Sequence, residues 1–212
     1  MRIGILGSGL MGGKLGTIFA RAGHEVTFSY ARAREKLERL AKQAGATARA
    51  ATPREAAGNS DVLLVAVNWP RMADLLMQAG DLSGKVVVTC SLGMNEDNTE
   101  LAIGHTSSAA EELAKRIPGA HVVSAFNTVP SEVLFDVFEA RRKAPRPSLV
   151  YCGDDRRAKE VAVELIRDAG FDPVDAGALR IARYTEPFAL LIGQLAYEGT
   201  GGPEIAYRIE QF

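Results

Sequence analysis

A chain of 212 residues with 47% hydrophobic and 24% charged side chains has the composition of a folded protein of one domain, or one domain with an appendage, which excludes wholesale disorder. Its 25 basic and 26 acidic side chains leave a formal charge of −1, so there is no electrostatic case for nucleic acid or an anionic membrane as partner. Two cysteines exclude a disulfide-dense scaffold and a four-cysteine zinc site. No apolar run reaches the roughly 18 residues of a spanning helix, and the glycines after Leu6 come too early for a signal peptide; the expected location is cytoplasmic.

Apolar, β-rich runs alternate with helical patterns through most of the chain. Ile3–Leu6 reads as a short buried strand, and Leu10–Ala22 as a helix with Leu15, Ile18, Phe19 and Ala22 at helical spacing. Glu25–Tyr30 is a second strand and Arg34–Ala44 an amphipathic helix that Gly45 ends. Thr52, Pro53 and Glu55 form an N-cap, a first-turn proline and a capping-box glutamate. Asp61–Val67 is apolar on both faces, as a central strand must be. A helix over Pro70–Ala79, a strand over Lys85–Cys90, a helix over Ser107–Ile117 and a strand over His121–Phe126 follow. The remaining elements are a helix over Ser131–Arg142, a strand over Leu149–Cys152, a helix over Asp155–Ala169 and a strand over Phe171–Asp175. Ala178–Tyr197 reads as a helix kinked or divided at Pro187, and the alternation of Ile205, Tyr207 and Ile209 suggests an extended tail. Strands alternating with helices imply an α/β protein: a Rossmann-like, mostly parallel, doubly wound sheet with a short C-terminal helical segment. Residues 1–177 would form the dinucleotide-binding domain. Residues 178–212 would pack near the active cleft or at a dimer interface.

Gly7, Ser8, Gly9, Leu10, Met11 and Gly12 spell G-x-G-x-x-G directly after the first strand and at the start of a helix. Gly7 permits a tight turn, Gly9 lets backbone approach a pyrophosphate, and Gly12 lets helix and strand pack closely, while the helix N-terminus offers free N–H donors. Sites for NAD place a carboxylate at the end of the second strand. Here Ser29, Arg32, Arg34 and Lys36 stand in that region, and the first acid, Glu35, falls inside the helix. A guanidinium grips a 2′-phosphate that a carboxylate would repel, so NADP(H) is the expected coenzyme.

These segments together are similar to the F420-dependent NADP oxidoreductase family, which includes the NADPH-binding domain of STEAP-type metalloreductases. The resemblance rests on Gly7–Gly12, on Ala22-Gly23-His24-Glu25-Val26, and on Ser29 with its basic followers. It continues through Val67-Asn68-Trp69-Pro70, Val122–Pro130 (V-V-S-A-F-N-T-V-P), Cys152-Gly153-Asp154-Asp155 and Val174-Asp175-Ala176-Gly177, and so covers nearly the whole chain. It implies that Ser8, Ser29 and Arg32 hold the 2′-phosphate end of NADP and that Asn68 and Trp69 flank the nicotinamide. It further implies that Asn127, Thr128 and Pro130 line an acceptor pocket for F420 or a flavin, with Gly199–Pro203 nearby. The chain departs from the family pattern at Asn127, where F420-using members often carry histidine, and over residues 93–106, which have no counterpart.

Hydride transfer from nicotinamide to a deazaflavin or flavin needs two rings held in reach and no side-chain nucleophile, so no catalytic residue is expected. His24, His105 and His121 have no acidic partner by spacing, and no metal-binding motif is present. Cys90 reads as a buried thiol near the cofactor end of its strand, and Asp154 and Asp155 as caps of the next helix. Two other functions stay open: reduction of a small carbonyl or imine by NADPH, and non-catalytic NADP binding. The apolar Phe188–Leu195 stretch makes a homodimer plausible.

Overall fold

The computed structural model describes residues 1–212. Eight strands form one sheet: β1 (Arg2–Leu6), β2 (Glu25–Ser29), β3 (Ala48–Ala50), β4 (Val62–Val65), β5 (Val86–Thr89), β6 (His121–Ser124), β7 (Ser148–Gly153) and β8 (Asp172–Asp175). Their order is β3-β2-β1-β4-β5-β6-β7-β8. All neighbours pair in parallel except β6 and β7, whose antiparallel pairing sets Val123 opposite Gly153 and Ser124 opposite Cys152. The order reverses between β1 and β4, and this switch point opens a crevice beyond their carboxyl ends.

Eight helices cover the sheet: α1 (Leu10–Arg21), α2 (Arg34–Ala44), α3 (Pro53–Gly58), α4 (Met72–Ala79), α5 (Ala109–Arg116), α6 (Leu134–Glu139), α7 (Arg156–Asp168) and α8 (Ala182–Tyr197). Strand residues alternate between two cores. Ile3, Ile5, Val62 and Leu64 pack with Phe19 and Ile18 of α1, Leu134 and Phe138 of α6, and Leu165 and Ile166 of α7. Leu6, Leu63 and Val65 face the other way, onto Ala56 of α3, Met72 and Leu75 of α4 and Leu113 of α5. The sheet is therefore wound on both faces, as its apolar strands require.

Local signals hold where they rest on short-range chemistry. Thr52 and Glu55 make the reciprocal capping box, with Pro53 in the first turn of α3. Asp155 caps α7 by accepting from Ala158 N–H at 2.7 Å, while Asp154 accepts from Leu179 N–H at 2.9 Å. The helix expected over Ser131–Arg142 is shorter, Leu134–Glu139, because Ser131 and Glu132 serve the turn that leaves β6. Pro187 lies inside an unbroken α8, where it forfeits a single backbone donor. The division falls earlier, at a 3-10 turn over Leu179–Ile181. The tail forms no strand but runs extended beside β7, where Ser148 N–H donates to the Tyr207 carbonyl and Ile209 N–H to Ser148 Oγ.

Candidate functional site: a coenzyme crevice and its adjoining cavity

The glycine loop sits at the switch point. Gly7 takes a φ of +116° and its N–H donates to the Ser29 carbonyl at 3.2 Å; Ser8 N–H donates to the Tyr30 carbonyl at 3.1 Å. The loop is thus stitched to the end of β2. A Cβ on Gly12 would lie 1.9 Å from the Gly7 carbonyl oxygen, and one on Gly16 would lie 2.4 Å from the Phe28 ring, so α1 comes against the sheet as closely as backbone allows. Gly9 differs, since a Cβ there would meet nothing within 4 Å. Gly9 is also the N-cap of α1 and no side chain caps that helix. Free first-turn N–H groups and a vacant Cβ position together make a cradle that a pyrophosphate fits.

A cavity of about 930 Å³ adjoins the loop. Its floor is Gly9, Leu10, Met11, Ala66, Val67, Asn68 and Cys90, from the carboxyl ends of β1, β4 and β5. Ser91 ties this floor together: its hydroxyl donates to the Val67 carbonyl at 2.7 Å and accepts from Val67 N–H at 3.3 Å, which joins the loops after β4 and β5. One wall is the turn after β6, with Phe126, Asn127, Val129, Pro130 and Ser131. Phe126 is fully buried with φ +64°, in the left-handed region that bulky residues avoid. That bend separates neighbours. Asn127 faces the cavity, whereas Thr128 turns inward, fully buried, and shares a 2.7 Å hydrogen bond with the Tyr207 hydroxyl. Asn127 Nδ2 donates to Ser124 Oγ at 3.2 Å, and its buried Oδ1 has no partner.

The opposite wall comes from the loop after β5, to which the sequence assigns no role, and from α8, expected near the cleft or at a dimer interface. Leu92, Met94, Asn98 and Thr99 belong to the loop after β5, and Ala189, Leu190, Ile192, Gly193, Gln194 and Tyr197 to α8. Glu186 joins them. Its carboxylate, 1% exposed, accepts from the first-turn N–H groups of α5, Ala109 at 2.9 Å and Ala110 at 3.1 Å, with Gly93 N–H also facing it. Burial pushes its pKa up to about 7 against the backbone donors that favour the anion. The rim is held by Tyr197, whose hydroxyl donates to Glu132 at 2.9 Å, and by Lys14, whose ammonium donates to the Ser131 carbonyl at 2.8 Å. The sequence signal for this wall is the helical spacing of small and apolar residues on α8.

Several expected positions lie elsewhere. Ser29 is fully buried and its hydroxyl donates to the Ile5 carbonyl at 2.8 Å, and the Ser8 hydroxyl donates to the Ser29 carbonyl at 2.9 Å; both stitch the loop. Arg32 is exposed beside the crevice, and Arg34 pairs with Glu38 at 3.0 Å, one turn along α2. Trp69 does not line the cavity; its ring lies under the Arg116 guanidinium, 4.6 Å from the ring centroid, and packs on the core beneath α4. The lining ends at Glu198, short of Gly199–Pro203. Two histidines do find acids that chain spacing did not reveal, His24 with Asp168 at 2.9 Å and His121 with Asp155 at 3.6 Å, and neither lines the cavity. Cys90 does, but burial pushes its thiol up to about 12, so it is un-ionised near neutral pH.

Residues 2–93 match the sequence profile of the family described as NADP oxidoreductase, coenzyme F420-dependent. Metalloreductase STEAP3 of Rattus norvegicus is 31% identical over 189 residues, which is 89% of this chain and 36% of that protein. Metalloreductase STEAP2 of Homo sapiens is 26% identical over 136 residues, 64% of this chain and 26% of that protein. The chain spans about a third or less of the length of these curated relatives. Among solved structures, a protein from Arthrobacter sp. FB24 provisionally named an F420-dependent NADP-reductase superimposes with a TM-score of 0.85, at 23% identity over 99% of both chains. A reductive aminase from Aspergillus terreus, solved with NADPH and ethyl-5-oxohexanoate, gives a TM-score of 0.66 at 22% identity, over 91% of this chain and 61% of that one. At these identities both structures speak for the fold. The profile match spans the glycine loop and the strands that carry it, and over residues 2–93 the chain is similar to the family of coenzyme F420-dependent NADP oxidoreductases.

Proposed function

We propose that the protein passes a hydride between NADPH and a ring-shaped redox acceptor, F420 or a flavin, that stacks on the nicotinamide in the cavity. The observation that carries this reading is the chemistry of the lining. Apart from Glu198 at the rim, the only titratable groups on it are Cys90 and Tyr197. Burial pushes both up to about 12, and the Tyr197 proton is already directed at Glu132. Reduction of a carbonyl needs a proton delivered in place to the forming alkoxide, by a group whose pKa lies near working pH. No side chain here suits that task. Transfer between two ring cofactors needs only positioning and exclusion of water, which apolar walls and a fixed floor supply.

Nicotinamide supplies the hydride when the coenzyme is bound, and the residues of this chain do the rest. The first-turn N–H groups of α1 and the space over Gly9 suit the pyrophosphate, and exposed Arg32, with Arg34 behind it, suits the 2′-phosphate. Asn68 on the floor suits the nicotinamide side, and the unpartnered Oδ1 of Asn127 suits an N–H of carboxamide or acceptor ring. Met11, Leu92, Met94, Leu190 and Ile192 supply apolar surface for the acceptor. A second copy of the chain would cover the exposed outer stripe of α8, Tyr184, Leu191 and Leu195.

The test is to mix the purified protein with NADPH and, separately, F420, FMN, FAD or a cyclic imine, and to follow reduced nicotinamide by its absorbance. Turnover with a ring cofactor is expected. Turnover only with the imine would replace the reading, and coenzyme binding without turnover on any acceptor would leave a binding protein.

A further inference from the structure

The cavity lining includes Gly9, Leu10 and Met11 of the glycine loop and no residue of the β2 end, where an aromatic residue, Tyr30, stands. Tyr30 follows β2 directly, at the position where dinucleotide-binding sheets read the adenosine ribose. Its φ of +56° is left-handed, an unfavoured choice for a bulky side chain that needs local compensation. The compensation is visible at both ends of the residue. At the backbone, the Tyr30 carbonyl accepts from Ser8 N–H at 3.1 Å, so the residue is bound into the glycine loop. At the side chain, the hydroxyl donates to Asp74 Oδ2 at 2.6 Å, in the first turn of α4. Asp74 is itself steadied by Gln78 Nε2 at 3.1 Å. Because the sheet order runs β2-β1-β4, this contact joins the two banks of the crevice, from the loop after β2 to the helix after β4, across the loop after β1. The ring packs partly on the core cluster that holds Leu6, Val65 and Met72.

We propose that Tyr30 is the adenosine-side specificity element of this protein: clasped to Asp74, its ring forms a wall against the adenine and ribose and holds the following loop so that Arg32 meets the 2′-phosphate. The assignment rests on the NADP(H) reading above. It divides labour in a way the sequence alone does not show. The Tyr30 hydroxyl is spent on Asp74 and is not a phosphate ligand, burial and the neighbouring carboxylate push its pKa up to about 12, and the discriminating charge comes from Arg32. An aromatic face is available to any adenine, so the ring strengthens binding of both coenzymes, while the clasp affects only the one that needs Arg32 in place.

The experiment is a set of dissociation constants for NADPH and NADH, by titration calorimetry, on the wild type and the variants Tyr30→Phe, Tyr30→Ala, Asp74→Asn and Arg32→Ala. Thermal melts on each show whether it is folded. Tyr30→Phe keeps the ring and removes only the hydroxyl. It is expected to weaken NADPH roughly threefold to tenfold, the worth of one hydrogen bond, and to leave NADH within twofold. Asp74→Asn should shift the selectivity in the same direction, and Tyr30→Ala should weaken both coenzymes. 2′-Phospho-ADP-ribose and ADP-ribose, which lack nicotinamide, should reproduce the same ratios and so locate the effect on the adenosine side. An unchanged selectivity in folded Tyr30→Phe, with Arg32→Ala still collapsing it, overturns the clasp and leaves the coenzyme reading intact. Tighter binding of both coenzymes in Tyr30→Phe also overturns it, since the clasp would then obstruct the crevice. If wild-type protein itself fails to prefer NADPH, the parent reading falls first, and that result is distinct from either of these.

Discussion

Two glycines three residues apart do opposite things, and substitution separates them. An alanine methyl at Gly9 enters open space, so Gly9→Ala should melt like the wild type and yet bind coenzyme weaker by on the order of tenfold, because the methyl sits where pyrophosphate must approach backbone. The same methyl at Gly12 meets the Gly7 carbonyl at 1.9 Å and forces α1 off the sheet. Gly12→Ala should therefore cost stability first, on the order of 1–3 kcal/mol as in other overpacked sites, seen as a lower Tm without ligand. Equal melting temperatures for the two variants would contradict this division. The same scale explains why some site residues could be named from the sequence and their neighbours could not. Asn127 and Thr128 are adjacent and equally polar, and only the left-handed turn at Phe126 decides that one faces the cavity and the other Tyr207. Ser29 carries the right hydroxyl at the right place in the chain, but the Ile5 carbonyl takes its proton.

At the scale of elements, Glu186 ties three of them: α8, the start of α5 and the loop at Gly93. The shift of its pKa has a direction that can be checked. A carboxyl whose folded pKa is raised to about 7 binds its proton more tightly folded than unfolded. Its contribution to stability is fully present below the unfolded value, near 4.5, and is lost as pH rises through 7. The Tm of the wild type minus that of Glu186→Gln should therefore fall between pH 5 and pH 8. A difference that is flat or rises with pH would mean that the three backbone donors, not burial, control this group. The loop and α8 also show which element-level features escape a sequence. Capping residues such as Thr52, Glu55 and Asp155 act within three residues and were legible. The partnership of Glu186 with Ala109 spans 77 positions and carries no local signature.

For the whole molecule, the apolar outer stripe of α8 is the part that the fold leaves uncovered. Tyr184, Leu191 and Leu195 are each more than half exposed on one helix whose other face, Ala189 and Ile192 included, is buried or lines the cavity. A second copy seated there should be disrupted by the pair Leu191→Asp and Leu195→Asp, which places two charges on the stripe. Light scattering is expected to show a dimer for the wild type and a monomer for the double variant; a wild type monomeric at all accessible concentrations would rule the homodimer out. No helix of the chain is long and apolar enough to cross a membrane.

The amino-acid sequence by itself determined the alternation of strands and helices, the doubly wound class, the glycine loop and the absence of a carboxylate after β2. Each of these rests on periodicity, on steric freedom at a single residue or on contacts a few residues long. Only the tertiary structure decided that α8, expected at the cleft or at a dimer interface, lines the cavity together with the loop after β5, that Trp69 goes to Arg116, and that Tyr30 reaches Asp74. Those outcomes depend on which distant segments the sheet order brings side by side, and on which of several competent partners lies within hydrogen-bond reach.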